Sequence, residues 1–220
     1  MTCKKALPLL TGLLLLLASA RAQIDAPAQT VSHYVLPAFQ PGKVLQKNGS
    51  ETTASLNYNA LTGEMIFDAG NSRYLAIAEP EKVDSVFISG RTFIPREKLY
   101  LELLVKGNYP LAVEHTCSLI EEGNNVGYNL SSNVSASSPL RSMMQNGSAY
   151  GLKLPDGVTV KSGKAYWGFR KGRWEKVSSF SQLGKVYADK KAEIDKAVKE
   201  KKLSFNKEED LLNLVKQINE

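Results

Sequence analysis

Cysteine and histidine are scarce in this sequence of 220 residues, which contains two of each. Cys3 lies in a segment that we expect to be removed, so Cys117 would remain alone and could not form an intramolecular disulfide. One cysteine and two histidines also cannot supply the ligand set of an ordinary Cys/His zinc site. We therefore predict no metal site.

Motifs of catalysis and cofactor binding are absent as well. The sequence has no Walker phosphate loop, no G-x-S-x-G, no H-E-x-x-H and no dinucleotide fingerprint. We predict no cofactor, assign no catalytic residue, and favour a protein without enzymatic activity.

Long apolar runs are also missing. The uncharged, Leu-rich stretch at residues 6–18 is 13 residues long, whereas a membrane-spanning helix needs about 20 apolar residues. This stretch follows Lys4 and Lys5 and precedes Ala20-Arg21-Ala22, which is the pattern of a cleavable signal peptide. We predict that residues 1–22 are removed, or residues 1–20 if cleavage follows Ala20. The mature protein would be exported to the periplasm, the outer-membrane periphery or the extracellular space.

The excess of positive charge is small. The net charge of +6 falls to +3 when Lys4, Lys5 and Arg21 leave with the signal peptide. Nucleic-acid-binding proteins usually show a stronger and clustered excess. We therefore predict no nucleic-acid partner and expect an envelope glycan or another envelope protein instead; the oligomeric state stays open.

The sequence is rich in short alternating segments that are separated by turn residues from residue 42 to residue 178. Asn48-Gly49, Gly107-Asn108 and Lys171-Gly172 each predict a hairpin. A two-residue turn at Asn48-Gly49 would pair Leu45 with Thr52, which places Leu45 on the apolar face of the hairpin.

Further strands are predicted at residues 150–154 and 158–161, and the third hairpin at residues 164–170 and 173–177. Residues 124–147 interrupt the pattern, because they are rich in Asn, Ser and Gly and almost uncharged. Long segments of this kind are often functional or disordered. We predict a surface loop, with a ligand-covering role as the alternative.

The C-terminal residues 179–220 have helical patterns. Ser179 and Gln182 have the spacing of a capping box, Asp189 could cap a second helix, and Asn206 followed by Glu209 could start a third. The third helix has an apolar stripe at helical spacing, formed by Leu211, Leu214, Val215 and Ile218.

These patterns predict an α+β fold: an antiparallel β meander, sandwich-like or an open barrel, with a C-terminal segment of about three short helices. The predicted organisation is a signal peptide at 1–22, an extended lead-in at 23–41, a β-rich domain at 42–178 and a helical segment at 179–220.

Several short motifs resemble those of a family of exported proteins of gram-negative bacteria that has no assigned function. The motifs are Leu56-Asn57-Tyr58-Asn59, Gly63-Glu64-Met65, Arg91-Thr92-Phe93, Leu152-Lys153-Leu154-Pro155-Asp156-Gly157 and Asp210-Leu211-Leu212. The resemblance covers most of residues 42–220. It implies a β-rich exported fold and no particular activity.

Two groups of residues are candidates for function. His115 and Cys117 alternate on one predicted strand and share a face, with Glu102 diagonal to His115 in the second hairpin. A thiol, an imidazole and a carboxylate are the parts of a cysteine nucleophile, so Cys117 and His115 are candidate reactive residues. However, their spacing along a strand is poor for a direct hydrogen bond.

The third hairpin carries the densest group of aromatic and cationic side chains. We predict that Trp167 and Phe169 share one face and that Tyr166 and Arg170 lie on the other. A surface that binds a glycan is one interpretation, and rings packed under the C-terminal helices is the alternative. The candidate ligand-binding residues are Trp167, Phe169, Arg170, Arg173 and Trp174.

The sequence therefore favours a non-catalytic exported module that binds a surface glycan, a wall component or a protein. A structural subunit of an envelope complex, docked through its C-terminal helices, is one alternative. An enzyme that uses Cys117 and His115 is the other.

Overall fold

A computed structural model of the chain describes residues 33–121, 148–152, 154 and 158–220. The predicted signal peptide and the predicted loop at residues 124–147 lie outside these residues. The described chain forms one sheet and a helical segment, as the α+β prediction requires.

The sheet has ten strands, and every neighbouring pair is antiparallel. The strands are β1 (Gln40–Gln46), β2 (Glu51–Asn59), β3 (Glu64–Asp68), β4 (Tyr74–Ala76), β5 (Val83–Ile88), β6 (Arg91–Arg96), β7 (Leu99–Val105), β8 (Leu111–Glu121), β9 (Val158–Arg170) and β10 (Arg173–Val177). Their order in the sheet is β10-β9-β8-β7-β6-β5-β1-β2-β3-β4. The sheet therefore consists of two meanders, β1–β4 and β5–β10, that are joined through the pairing of β1 with β5.

The sheet is strongly curled. The turn after β2 hydrogen-bonds to strands that are not its neighbours in the sheet: Tyr100 N donates to Gly63 O at 3.2 Å, and Cys117 N donates to Ala60 O at 3.2 Å. This curvature corresponds to the open-barrel form of the prediction. The enclosed core is built from side chains of β1–β3, β5–β7 and the segment before β1. Its largest fully buried members are Leu56, Tyr58, Met65, Ile88, Phe93 and Tyr100.

The first hairpin forms where predicted, but its predicted register is wrong by one residue. Val44, not Leu45, pairs with Thr52, and Val44 is the residue that enters the core. The reason is a three-residue loop in which Gln46 N donates to Ser50 O and Gly49 has a φ of +85°. A loop of this length with glycine in the left-handed region is a common hairpin connection.

The third hairpin has the predicted two-residue turn, since Lys171 (φ +49°) and Gly172 (φ +81°) are both left-handed. Its first strand is longer than predicted, because the predicted strands at 158–161 and 164–170 are one continuous strand, β9. The prediction of a strand at residues 150–154 is wrong for its described residues, which begin in a 3₁₀ turn at Ser148–Tyr150. Side-chain hydrogen bonds, and not a ladder of backbone hydrogen bonds, hold this turn: Asn59 Nδ2 donates to Ala149 O and Tyr34 OH donates to Tyr150 O.

The described residues before β1, 33–39, form a bent segment that lies against β2. Val35 N donates to Tyr58 O. The buried side chain of Asn57 accepts a hydrogen bond from Leu36 N and donates one to Leu36 O. Asn57 thus has a structural role in holding this segment.

Three helices follow the sheet, α1 (Phe180–Val186), α2 (Lys191–Lys201) and α3 (Glu208–Ile218). Ser179 caps α1 as predicted, since its hydroxyl accepts from Gln182 N at 3.2 Å. The predicted caps of the other two helices are wrong. Lys190 precedes α2, because Asp189 accepts a hydrogen bond from Tyr109 OH and lies inside a 3₁₀ turn. Lys207 precedes α3, where Asn206 provides no cap.

The helices pack on one face of the sheet and form a second core with it. The predicted stripe of α3 is buried in this core together with Val105, Leu111 and Val177 of the sheet. No helix in the described part of the chain is both long and apolar enough to cross a membrane.

Candidate functional site

The strand register sorts the candidate residues onto two faces of the sheet. Glu102, Val113 and Tyr166 are opposite one another on β7, β8 and β9, and Tyr166 packs against Phe205 of the helical segment at 5.9 Å. We call this side the helix face. Trp167, one residue further along β9, points to the opposite side.

Three of the predicted ligand-binding residues come together on this opposite side. Trp167 and Phe169 alternate along β9, and Trp174 pairs with Phe169 across the hairpin. The rings of Phe169 and Trp174 are 5.1 Å apart at a tilt of 55°, and Phe169 is 37% exposed. We call Trp167, Phe169 and Trp174 the aromatic face. The alternative of packing under the helices holds for Tyr166. It is wrong for the aromatic face, which lies on the opposite side of the sheet.

Two residues outside the sequence-based prediction fix the orientation of Trp167. The guanidinium of Arg96 lies 4.0 Å from the centre of the Trp167 ring, and the indole Nε1 donates to Glu114 Oε2 at 2.9 Å. They come from β6 and β8, and their position beside Trp167 depends on how the strands are ordered. The alternation of polar and apolar residues within β6 and β8 does not predict the order of the strands in the sheet.

The two predicted arginines do not join the aromatic face. Arg170 follows Phe169 on the other side of β9, and its Nη1 donates to the carbonyl of Lys185 at 2.5 Å. Arg173 is the cross-strand partner of Arg170 and donates from Nε to Glu175 at 2.9 Å. The structure therefore divides the predicted site between three aromatic rings and two arginines on the opposite face.

A partly buried ionic cluster lies on the helix face. Arg91 donates to both carboxylate oxygens of Glu102, from Nε at 2.6 Å and from Nη2 at 2.5 Å. His115 Nε2 is 2.6 Å from Glu102 Oε2, so Glu102 does lie against His115, as the hairpin register predicts. The side chain of Glu102 is 10% exposed and that of His115 12%.

The ionic form of Glu102 is strongly favoured. Burial acts to raise the pKa of this carboxyl, but the hydrogen bonds and charges of Arg91 and His115 outweigh burial and lower the pKa to about 2. The carboxylate in turn orients both partners. Arg91 also stacks on Phe93 at 5.5 Å, and the ring of Tyr58 meets His115 edge-on at 6.1 Å.

Cys117 is separate from this cluster. Its side chain packs with Leu61, Leu119, Ala149 and Leu154, and burial raises the pKa of the thiol to about 11. Activated cysteines have a depressed pKa and a cationic neighbour, and Cys117 has neither among the described residues. The imidazole and the carboxylate are thus brought together without the thiol.

An open cavity of about 590 Å³ lies beside the ionic cluster. It is lined by side chains of the ionic cluster, by polar residues of β8 and β9, and by residues of the bent segment before β1 and the turn after β2. The lining residues are Tyr34, Val35, Ala60, Arg91, His115, Thr116, Ser162, Gly163 and Lys164. Within residues 33–121 and the described parts of 148–220, no group of three His, Cys, Asp or Glu side chains has the arrangement of a metal site.

The chain was compared with protein families, with curated proteins and with solved structures. The likeness to exported proteins of gram-negative bacteria stays a prediction, because none of the three comparisons found a significant match.

Proposed function

We propose that this protein is a non-catalytic exported module that binds a surface glycan or wall polymer through its aromatic face. The observation that carries the proposal is the position of Trp167, Phe169 and Trp174. The three rings share the side of the sheet opposite the helices.

The aromatic face has the properties of a recognition surface. Tryptophan and arginine are enriched among residues that dominate binding energy, and aromatic rings give large contact area at a small loss of conformational freedom. Trp167 is held on one side by Arg96 and at its edge by Glu114. The cost of ordering this ring is therefore met by folding and not by binding.

The N-terminal pattern supports the exported location. Lys4 and Lys5, the short apolar run and the small residues up to Ala22 are what a secretory signal requires. Mass spectrometry of the protein from fractionated gram-negative cells tests this: a chain that begins at Gln23, or at Arg21, outside the cytoplasm supports export. A cytoplasmic chain that begins at Met1 contradicts it.

The alternative functions have weaker support. The apolar stripe of α3 is buried against the sheet, so docking to an envelope complex would need another surface of the helices. An enzyme that uses Cys117 would need an activated thiol, which the burial of Cys117 opposes.

Binding to isolated envelope polymers tests the proposal. The protein from Gln23 onward should be retained on a glycan or wall fraction, and Phe169→Ala and Trp174→Ala should each weaken retention about tenfold. Leu75→Ala is the matched control, because Leu75 is also an exposed apolar side chain, 46% exposed on β4. Retention of both variants at the wild-type level, or no retention on any polymer, overturns the proposal.

A further inference from the structure

We propose that the cavity beside Arg91, His115 and Lys164 is a second binding site, for a small molecule with one oxyanion head group, a carboxylate or a phosphate, and an apolar body. This site is on the helix face and is independent of the aromatic face.

The charge of the cavity wall favours an anion. Arg91 and Lys164 contribute cationic side chains, His115 contributes an imidazole, and none of the described lining residues is acidic. Glu102 lies behind the wall and is 8% exposed. Glu208 pairs with Lys164 from the start of α3 and is not a lining residue.

The wall also has hydrogen-bond donors for an oxyanion. Glu102 occupies Nε and Nη2 of Arg91, whereas Nη1 has no partner among the described residues. Lys164 has further ammonium protons beyond the one that it gives to Glu208. The hydroxyl of Ser162 completes the polar wall, since Ser162 pairs with Cys117 and therefore lies on the same face as His115. Planar guanidinium groups and ammonium groups are the usual partners of carboxylate and phosphate.

Glu102 makes Arg91 a fixed element of this wall. A guanidinium that is held by two hydrogen bonds to a carboxylate and stacked on Phe93 loses little freedom when a ligand binds.

The rest of the cavity fits an apolar body. Tyr34, Val35 and Ala60 form the more apolar part of the lining. The volume of about 590 Å³ lies within the range of small-molecule sites.

Calorimetric titration of the full mature chain with octanoate, octyl phosphate and octanol tests the site. The two anions carry the same apolar body as the neutral alcohol, so the head group alone distinguishes them. We expect saturable binding of at least one anion to one site and no measurable binding of octanol. The stronger of the two anions identifies the head group.

Substitutions at the rim give effects of opposite sign. Lys164→Gln should weaken anion binding about fivefold, and Glu208→Gln should strengthen it by a similar factor because Lys164 loses its competing partner. Lys161→Gln is the matched control. It removes the same charge from an exposed lysine of β9 that does not line the cavity.

Any of three results overturns this proposal: equal binding of octanol and the anions, no binding of either anion, or equal effects of Lys164→Gln and Lys161→Gln. Circular dichroism of each variant verifies folding. Phe169→Ala should leave anion binding unchanged, so failure at the aromatic face and failure at the cavity are distinguishable.

Discussion

Glu102 couples the stability of the protein to acidic pH. Its pKa is lowered from 4.5 to about 2 in the folded chain, so the unfolded chain takes up this proton at a higher pH than the folded chain. The stabilisation is complete above about pH 5 and is lost as pH falls toward 2. We expect this group to contribute about 3 kcal/mol to the loss of unfolding free energy over that range, measured by urea titration at a series of pH values.

Glu102→Gln should remove that part of the pH dependence and destabilise the protein at neutral pH by about 3 kcal/mol, because Arg91 and His115 lose their carboxylate. Glu51→Gln removes an exposed ion pair with Lys43 and should cost less than about 1 kcal/mol. An unchanged acid profile in Glu102→Gln would contradict the assignment.

Cys117 should react slowly with alkylating reagents. With a thiol pKa of about 11, the thiolate fraction near pH 8 is roughly a hundredfold below that of an ordinary cysteine. Iodoacetamide labelling, followed by mass spectrometry across pH, should show a low rate that rises into the alkaline range. Rapid labelling at neutral pH would restore the nucleophile hypothesis.

The sequence predicts contacts between residues within one hairpin better than contacts across several strands. The approach of Glu102 to His115 follows from their pairing in the second hairpin, where Glu102 pairs with Val113 as predicted. Beside the turn, however, Val105 pairs with Leu111, and a register shift between Leu103 and Val105 restores the predicted pairing. Arg91 joins the same carboxylate from β6, within the hairpin of β6 and β7. The turn of that hairpin, Glu97-Lys98, contains none of the residues that mark such turns in a sequence. Arg96 reaches Trp167 across β7 and β8, and this contact depends on strand order and curvature, which alternation along a single strand does not encode.

At the scale of elements, loop length decides which side chains are buried. Asn48-Gly49 correctly identifies the first hairpin, but the loop contains three residues and Val44 replaces Leu45 in the core. Asn48 Oδ1 accepts from Ser50 N at 2.9 Å, and this local hydrogen bond favours the longer loop. The helix starts show the same limit, since Ser179 caps α1 while tertiary contacts of Asp189 override its capping signal.

Asn219 joins the end of α3 to the turn between β7 and β8. Its Oδ1 accepts from Tyr109 N at 2.9 Å, and its Nδ2 donates to Tyr109 O at 3.0 Å. Asn219→Ala should destabilise the protein by about 2 kcal/mol, because the backbone of Tyr109 loses both partners. Chemical denaturation measures the change.

The control for this prediction is Asn213→Ala, the same substitution at an exposed position of α3. It should change stability by less than about 0.5 kcal/mol, since alanine is a good helix former. Equal effects of the two substitutions would mean that the contact with Tyr109 has no stabilising role.

At the scale of the whole molecule, the helical segment and the sheet share one core. Leu211, Leu214 and Val215 of α3 are buried with Val105 and Leu111 of the sheet. The boundary predicted near residue 178 therefore separates two kinds of secondary structure that need each other for burial. The apolar stripe of α3 predicts that another surface of the protein must bury it. Only the tertiary structure identifies β7, β8 and β10 as the part of the sheet that does so.

Leu214→Ala tests the shared core. Leu214 is 2% exposed, so the cavity should cost about 3 kcal/mol. Tryptophan fluorescence, which reports on β9 and β10, and far-UV circular dichroism, which reports on the helices, should lose stability together. Separate transitions for the two probes would indicate that the helices unfold independently. Leu75→Ala, at an exposed position, should leave both curves nearly unchanged.

The sheet order also sets how the chain must search for its native state. Most neighbouring strands are joined by short turns, but the seams between β1 and β5 and between β8 and β9 pair residues such as Gly42 with Ile88 and Glu121 with Val158. Closing such distant pairs costs chain entropy before their contacts stabilise the product. We therefore expect the local hairpins to form early and the completion of these two seams to limit the folding rate. Until the β1–β5 seam closes, either meander can pair with the complementary edge of a second chain, and the hinge for that exchange is the short connection between β4 and β5.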